Sequence, residues 1–71
     1  MRIIIAGAGD VGKHLAKLLA YENQDIVVID RDQERLRQLG SQLDVSTIRG
    51  NATSFRVLKE ANVAKADLLI A

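Results

Sequence analysis

The chain has 71 residues, 10 Lys and Arg against 9 Asp and Glu, a formal net charge of +1 and no cysteine. That length holds one small domain or part of one, with so much surface in water that stability should lean on a ligand or partner. The lack of Cys excludes disulfides, thiolate metal sites and Cys nucleophiles, while a single His, no Trp and a near-neutral charge argue against a zinc site and a nucleic-acid-binding surface.

In chain order, Ile3 to Ala6 is a continuous apolar run closed by Gly7, the pattern of a parallel strand covered on both faces. It is too short for a signal-peptide core, and no run approaches the ~18–20 apolar residues that cross a membrane, so a cytoplasmic chain without direct membrane insertion is expected. Val11, Leu15, Leu18 and Leu19 follow at helical spacing and predict one apolar stripe. Residues Tyr21 to Asp25 form a polar loop. Ile26 to Ile29, β-branched throughout, predicts a second buried strand. Asp32 is a suitable N-cap for a second helix bearing Leu36, Leu39 and Leu43, with Gly40 as a candidate for its end. Val45 to Arg49 is a weaker third strand ended by Gly50. Thr53 or Ser54 caps a third helix with Val57, Leu58 and Ala61, and Asn62 suits its left-handed end. Asp67 to Ala71 reads as a fourth strand.

The order βαβαβαβ predicts an α/β fold, a Rossmann-like parallel sheet with right-handed crossovers and strand order 3-2-1-4. Residues 1–71 then form one unit, the first part of a doubly wound domain. The fourth strand would leave an open edge, so Leu68 to Ala71 are expected to pair with or pack on another chain.

The strongest chemical signal is Gly7-Ala8-Gly9-Asp10-Val11-Gly12, a G-x-G-x-x-G set between a predicted strand and a predicted helix. Gly7 allows the tight turn, Gly9 lets a pyrophosphate approach the backbone, and Gly12 lets the helix pack against the strands. The N–H groups around Gly9, Asp10 and Val11 would face the phosphates, helped by the helix dipole. Asp10 enters this reading through its backbone, its side chain being a carboxylate at an anion site. Asp30 lies 18 residues beyond Gly12, at the end of the second strand. A carboxylate there can accept both ribose hydroxyls of an adenosine and would disfavour the 2′-phosphate of NADP; the plainer alternative is a loop residue or cap. Arg31 could offset that repulsion, lie over adenine or be ordinary solvated charge. Asn51, in Gly50-Asn51-Ala52-Thr53, either bonds adenosine or holds the turn. His14 lies off the apolar stripe and is expected to face solvent. No Ser/His/Asp set, carboxylate pair or metal-ligand cluster can be assembled.

With these residues in view, the chain resembles the N-terminal half of an RCK (KTN) domain of the TrkA type, from regulators of bacterial Trk potassium uptake. Met1 to Gly12, Val28-Ile29-Asp30-Arg31-Asp32 and Gly50-Asn51-Ala52-Thr53 are similar to that family. Val57-Leu58-Lys59-Glu60-Ala61 followed by Ala66 to Ala71 is its more specific mark. The resemblance implies a non-catalytic sensor that binds NAD(H) or ATP/ADP, forms homo-oligomeric dimers or rings, and gates a membrane potassium channel or transporter from its cytoplasmic side. By the same resemblance the phosphate loop is Gly7 to Val11, the ribose acid is Asp30, and the adenosine contact falls on Asn51 and Ala52. The family usually has Asp at position 51 and Gly at position 62, where this chain has Asn51 and Asn62. Two rivals stand beside this expectation: the cofactor-binding half of an NAD-dependent dehydrogenase, which would need a catalytic residue beyond position 71, and an assembly module that binds no nucleotide.

Overall fold

Period-2 burial explains why the first two strands are apolar at every central position. In the computed structural model, which describes residues 1–51, 55–61 and 65–70, β1 (Arg2–Ala6) and β2 (Asp25–Asp30) are the inner strands of a four-stranded parallel sheet ordered β3-β2-β1-β4. The outer strands are β3 (Ser46–Arg49) and β4 (Leu68–Ile70). Ile3, Ile5, Ile26 and Val28 pack with Ala16, Leu36 and Leu39 on one side of the sheet. Ile4, Val27 and Ile29 turn to the other side and pack with Ala61, Ile48 and Ala66. Both faces of β1 and β2 are therefore buried, and neither strand can alternate with polar residues.

The first side is covered by α1 (Asp10–Tyr21) and α2 (Gln33–Gln42); the residue that ends α3 (Phe55–Glu60), Ala61, belongs to the second core. Helices on both faces of a parallel sheet make the α/β, Rossmann-like layering expected from the element order.

Several details differ from the sequence reading. The buried stripe of α1 is not Val11–Leu15–Leu18–Leu19. Val11 is 75% and Leu18 53% exposed, while Ala16 is fully buried and Leu15, Leu19 and Ala20 pack beside it. The sheet lies so close beneath α1 that small residues take the contact face. Gly40 neither ends nor breaks α2, which runs on to Gln42. Strand β3 starts at Ser46 rather than Val45, which packs in the first core. Thr53, Ser54, Asn62 and Ala71, which carried the expected caps and the end of the fourth strand, lie outside the described residues.

The end of α1 is a feature the sequence reading passed over as a polar loop. Asn23 holds a left-handed φ of 60°. Its N–H donates to the carbonyl of Ala20 at 3.1 Å, and that of Gln24 donates to Leu19 at 3.3 Å. This is a Schellman closure with Asn in the position glycine usually takes.

Candidate functional site

The carboxyl ends of β1, β2 and β3 meet at one edge of the sheet, where open parallel α/β sheets place their ligands. Gly7 leaves β1 with φ +119°, a conformation that L side chains rarely adopt, and its N–H donates to the Ile29 carbonyl at 2.7 Å. Ala8 buries its methyl in the core and so fixes the height of the loop. Gly9 is the N-cap of α1; its carbonyl accepts from Lys13 N–H at 2.8 Å. The cap makes no side-chain hydrogen bond, and Asp10 is the first helical residue, exposed rather than capping. The opening N–H groups of a helix have no intrahelical acceptor, which makes them donors toward an anion.

Gly12 is fixed by sterics. A Cβ there would run into the Gly7 carbonyl oxygen, 2.9 Å from the Gly7 carbonyl carbon and 3.6 Å from the Ile5 side chain. Gly9 differs: among the described residues its Cβ would meet only the Arg35 guanidinium, at 3.9 Å. One glycine of the set thus permits packing against β1, and the other lies beside an arginine of α2.

Asp30 ends β2 and turns its carboxylate back over the loop. Oδ2 accepts from the Ala8 N–H at 2.7 Å, and Oδ1 accepts from the Asp32 N–H at 2.7 Å. Burial pushes this carboxyl upward, but the N–H groups of Asp32 and Ala8, the Arg35 guanidinium and the Arg31 N–H outweigh it, so the group titrates below the ordinary Asp value of 3.8. It is therefore ionised at neutral pH. A carboxylate has about four lone-pair sites, so two short backbone bonds leave it able to accept from a hydroxyl.

The next turn is organised by Asp32, which caps α2 by accepting from Glu34 and Arg35 N–H at 3.0 and 3.3 Å. Its Oδ2 also pairs with Arg35 Nε at 3.6 Å. Gly50 N–H donates to the Asp30 carbonyl at 2.9 Å, which draws the loop after β3 alongside. Arg31, Arg49, Gly50 and Asn51 line an open depression of about 420 Å³ there. Of the sequence-derived candidates, the structure gathers Gly7 to Gly12 and Asp30 at one loop and places Arg31 and Asn51 in the neighbouring depression. Ala52 lies outside the described residues.

Two cations escaped the sequence reading. Arg49 is the register partner of Asp30 and shares the depression. Arg35 sits three residues after the Asp32 cap, a spacing that brings it back toward the loop. His14 is exposed, as expected. Among the described residues no group of three or more His, Cys, Asp or Glu could hold a metal ion, and no helix is long and apolar enough to cross a membrane.

Comparison with known proteins gives this geometry a family. Residues 3–71 match the model of the TrkA-N domain. The chain is 49% identical over 71 residues to the Trk system potassium uptake protein TrkA homolog of Archaeoglobus fulgidus and, also at 49%, to Trk system potassium uptake protein TrkA of Halomonas elongata. Each alignment covers 100% of this chain and 16% of the relative, so the chain spans about a sixth of their length. Among solved structures, the Kef CTD of Shewanella denitrificans in AMP-bound form superposes with a TM-score of 0.79 at 27% identity, over 97% of this chain and 40% of that one. A glycine turn closed onto an acid-ended second strand, within a match that runs from residue 3 to the last residue, places the chain in the TrkA-N domain family.

Proposed function

We propose that this chain is the nucleotide-binding module of a regulatory subunit that controls a potassium channel or transporter. The bound species is an adenine nucleotide, NAD(H) or ATP/ADP. Its phosphates lie against Gly7, Ala8, Gly9, Asp10, Val11 and Gly12, its ribose on Asp30, and its adenine side toward Arg31, Asn51 and Ala52. The observation that carries this reading is the 2.7 Å bond from Ala8 N–H to Asp30, which locks the ribose acid onto the glycine loop. The TrkA-named relatives and the AMP-bound form of the Kef neighbour support it.

The role is sensory rather than catalytic. A ligand moves an equilibrium only by as much as its affinity differs between the two states. NADH, NAD and ATP share the adenosine half that Asp30 addresses and differ in what extends past Gly9. That difference would bias the arrangement of a homo-oligomeric dimer or ring, and with it an attached membrane subunit. The protein would work in the cytoplasm, held at the membrane through that partner.

Calorimetric titration with NADH, NAD, ATP, ADP and NADPH, with Asp30→Ala as control, tests the reading. The expected result is binding of the ligands that carry a free ribose 2′-hydroxyl, weak NADPH, and loss of all in Asp30→Ala. A folded protein that binds none of them is an assembly module instead.

A further inference from the structure

Among the described residues, the space above Gly9 is bordered by a guanidinium, a neighbour that the glycine set alone does not require. We propose that Arg35, delivered by α2, is the residue through which the site selects a phosphorylated adenosine: it takes the phosphate that lies over Gly9. The proposal rests on the nucleotide reading above and adds to it a phosphate-selecting residue from outside the loop.

Three observations converge. First, a Cβ on Gly9 would lie 3.9 Å from Arg35 Nη1 and, among the described residues, within 4 Å of no other atom outside its chain neighbours. A group resting on Gly9 therefore meets this cation before any other side chain. Second, Arg35 is aimed rather than free. Its N–H is held by the Asp32 cap, and Nε faces Asp32 Oδ2 at 3.6 Å, longer than a hydrogen bond. That contact engages Nε, while Nη1 lies on the side of the Gly9 loop. The side chain is 57% exposed, so it can adjust to a ligand. Third, the local charge needs a cation. Asp10 stands next in the chain to Gly9, and Asp30 is bonded to Ala8, so two carboxylates flank the approach of a phosphate. The dipole of a 12-residue helix, equivalent to roughly half a charge, does not offset them. A guanidinium supplies a full charge and paired N–H groups that match two phosphate oxygens.

This arrangement divides recognition between two residues. Asp30 reads the ribose, and Arg35 reads whether that ribose carries a 5′-phosphate. Arg35 also sits within the field of Asp30, so the ligand-free site is internally compensated rather than bare.

The test is calorimetric titration of the protein, Arg35→Gln, Arg35→Lys and Asp30→Ala with adenosine, AMP and ADP, joined to a pH titration of the phosphorus resonance of bound AMP. Arg35→Gln should weaken AMP and ADP about tenfold or more, the loss of a charge-assisted hydrogen bond. It should leave adenosine within about twofold and recover part of the loss as Arg35→Lys. The phosphate of bound AMP should titrate at higher pH in Arg35→Gln than in the unaltered protein, because the neighbouring positive charge is gone. Equal weakening of adenosine and AMP, or unchanged AMP affinity with an unchanged phosphate titration, would overturn the assignment of Arg35 while the loss in Asp30→Ala left nucleotide binding standing. Failure of the unaltered protein to bind any of the three would overturn both readings.

Discussion

The two ends of the sheet both gather charged side chains, and they use them in opposite ways. At the amino end, Arg2 pairs with Asp25 at 2.8 Å, donates to the Ala61 carbonyl at 3.2 Å, and has its own N–H bound by Asp67 Oδ2 at 2.8 Å. One arginine there ties β1 to β2, to the end of α3 and to the approach to β4; its Nε and the nearby Gln24 Oε1 are buried without a partner among the described residues. At the carboxyl end, the Asp30 carboxylate is held by backbone N–H groups, and the nearby cation, Arg35, borders the Gly9 loop. A charge cluster that closes on itself staples a fold. A cluster whose cation borders the glycine loop is where the proposed phosphate would be received.

Substitutions at the two ends should therefore separate stability from binding. The largest effect belongs to Gly12→Ala. Its methyl has no room against the Gly7 carbonyl, so α1 must lift from β1. A loss of about 1–3 kcal/mol in denaturant unfolding is expected, together with a collapse of nucleotide affinity. At the amino end, Arg2→Ala should cost about 1 kcal/mol, since its partner Asp25 is largely exposed, and should leave nucleotide affinity unchanged. If Arg2→Ala weakened binding as strongly as Asp30→Ala, the contrast between the ends would fail. The smallest effect is at the close of α1, where Asn23→Ala should cost about 0.5 kcal/mol and Asn23→Gly nothing, because only the alanine resists a positive φ.

Asp30 adds a pH test of the same contrast. Its carboxyl is lowered in the folded state, so its stabilising contribution is fully present above the ordinary value of 3.8 and is lost as pH falls through the lower folded value. Asp30→Asn should be less stable than the unaltered protein at neutral pH, and the gap should narrow as unfolding is measured below 3.8. A gap that stayed constant with pH would mean that the backbone bonds do not depend on the charge.

Much of this was legible in the residue order, and the omissions have physical causes. The inner strands were readable because burial on both faces leaves no polar position between Ile3 and Ile5 or between Ile26 and Ile29. The α/β order and the glycine set followed from punctuation by Gly7, Gly12 and Gly50. The contact face of α1 was misread because periodicity weights large apolar residues, whereas close approach to the sheet selects Gly12 and Ala16 and turns Val11 and Leu18 outward. The Schellman closure at Asn23 hid in a polar stretch whose composition suited any loop. Arg35 was missed because nothing in an exposed Arg on a charged helix marks it; the aim comes from the Asp32 cap and from how α2 docks beside the loop. Local pattern thus located the loop and its acid, while the cation facing them is set by tertiary placement.

On the proposed function, the carboxyl end of the sheet, and not the amino end, receives an adenine nucleotide. The most direct test is a titration of the isotope-labelled protein with ADP, followed through backbone amide resonances. Shifts should concentrate at Ala8, Gly9, Asp10, Val11 and Asp32, with Arg2, Asp25 and Asp67 unmoved and the whole response absent in Asp30→Ala. Shifts centred on Arg2 and Asp67, or none in a folded protein at saturating ADP, would contradict it.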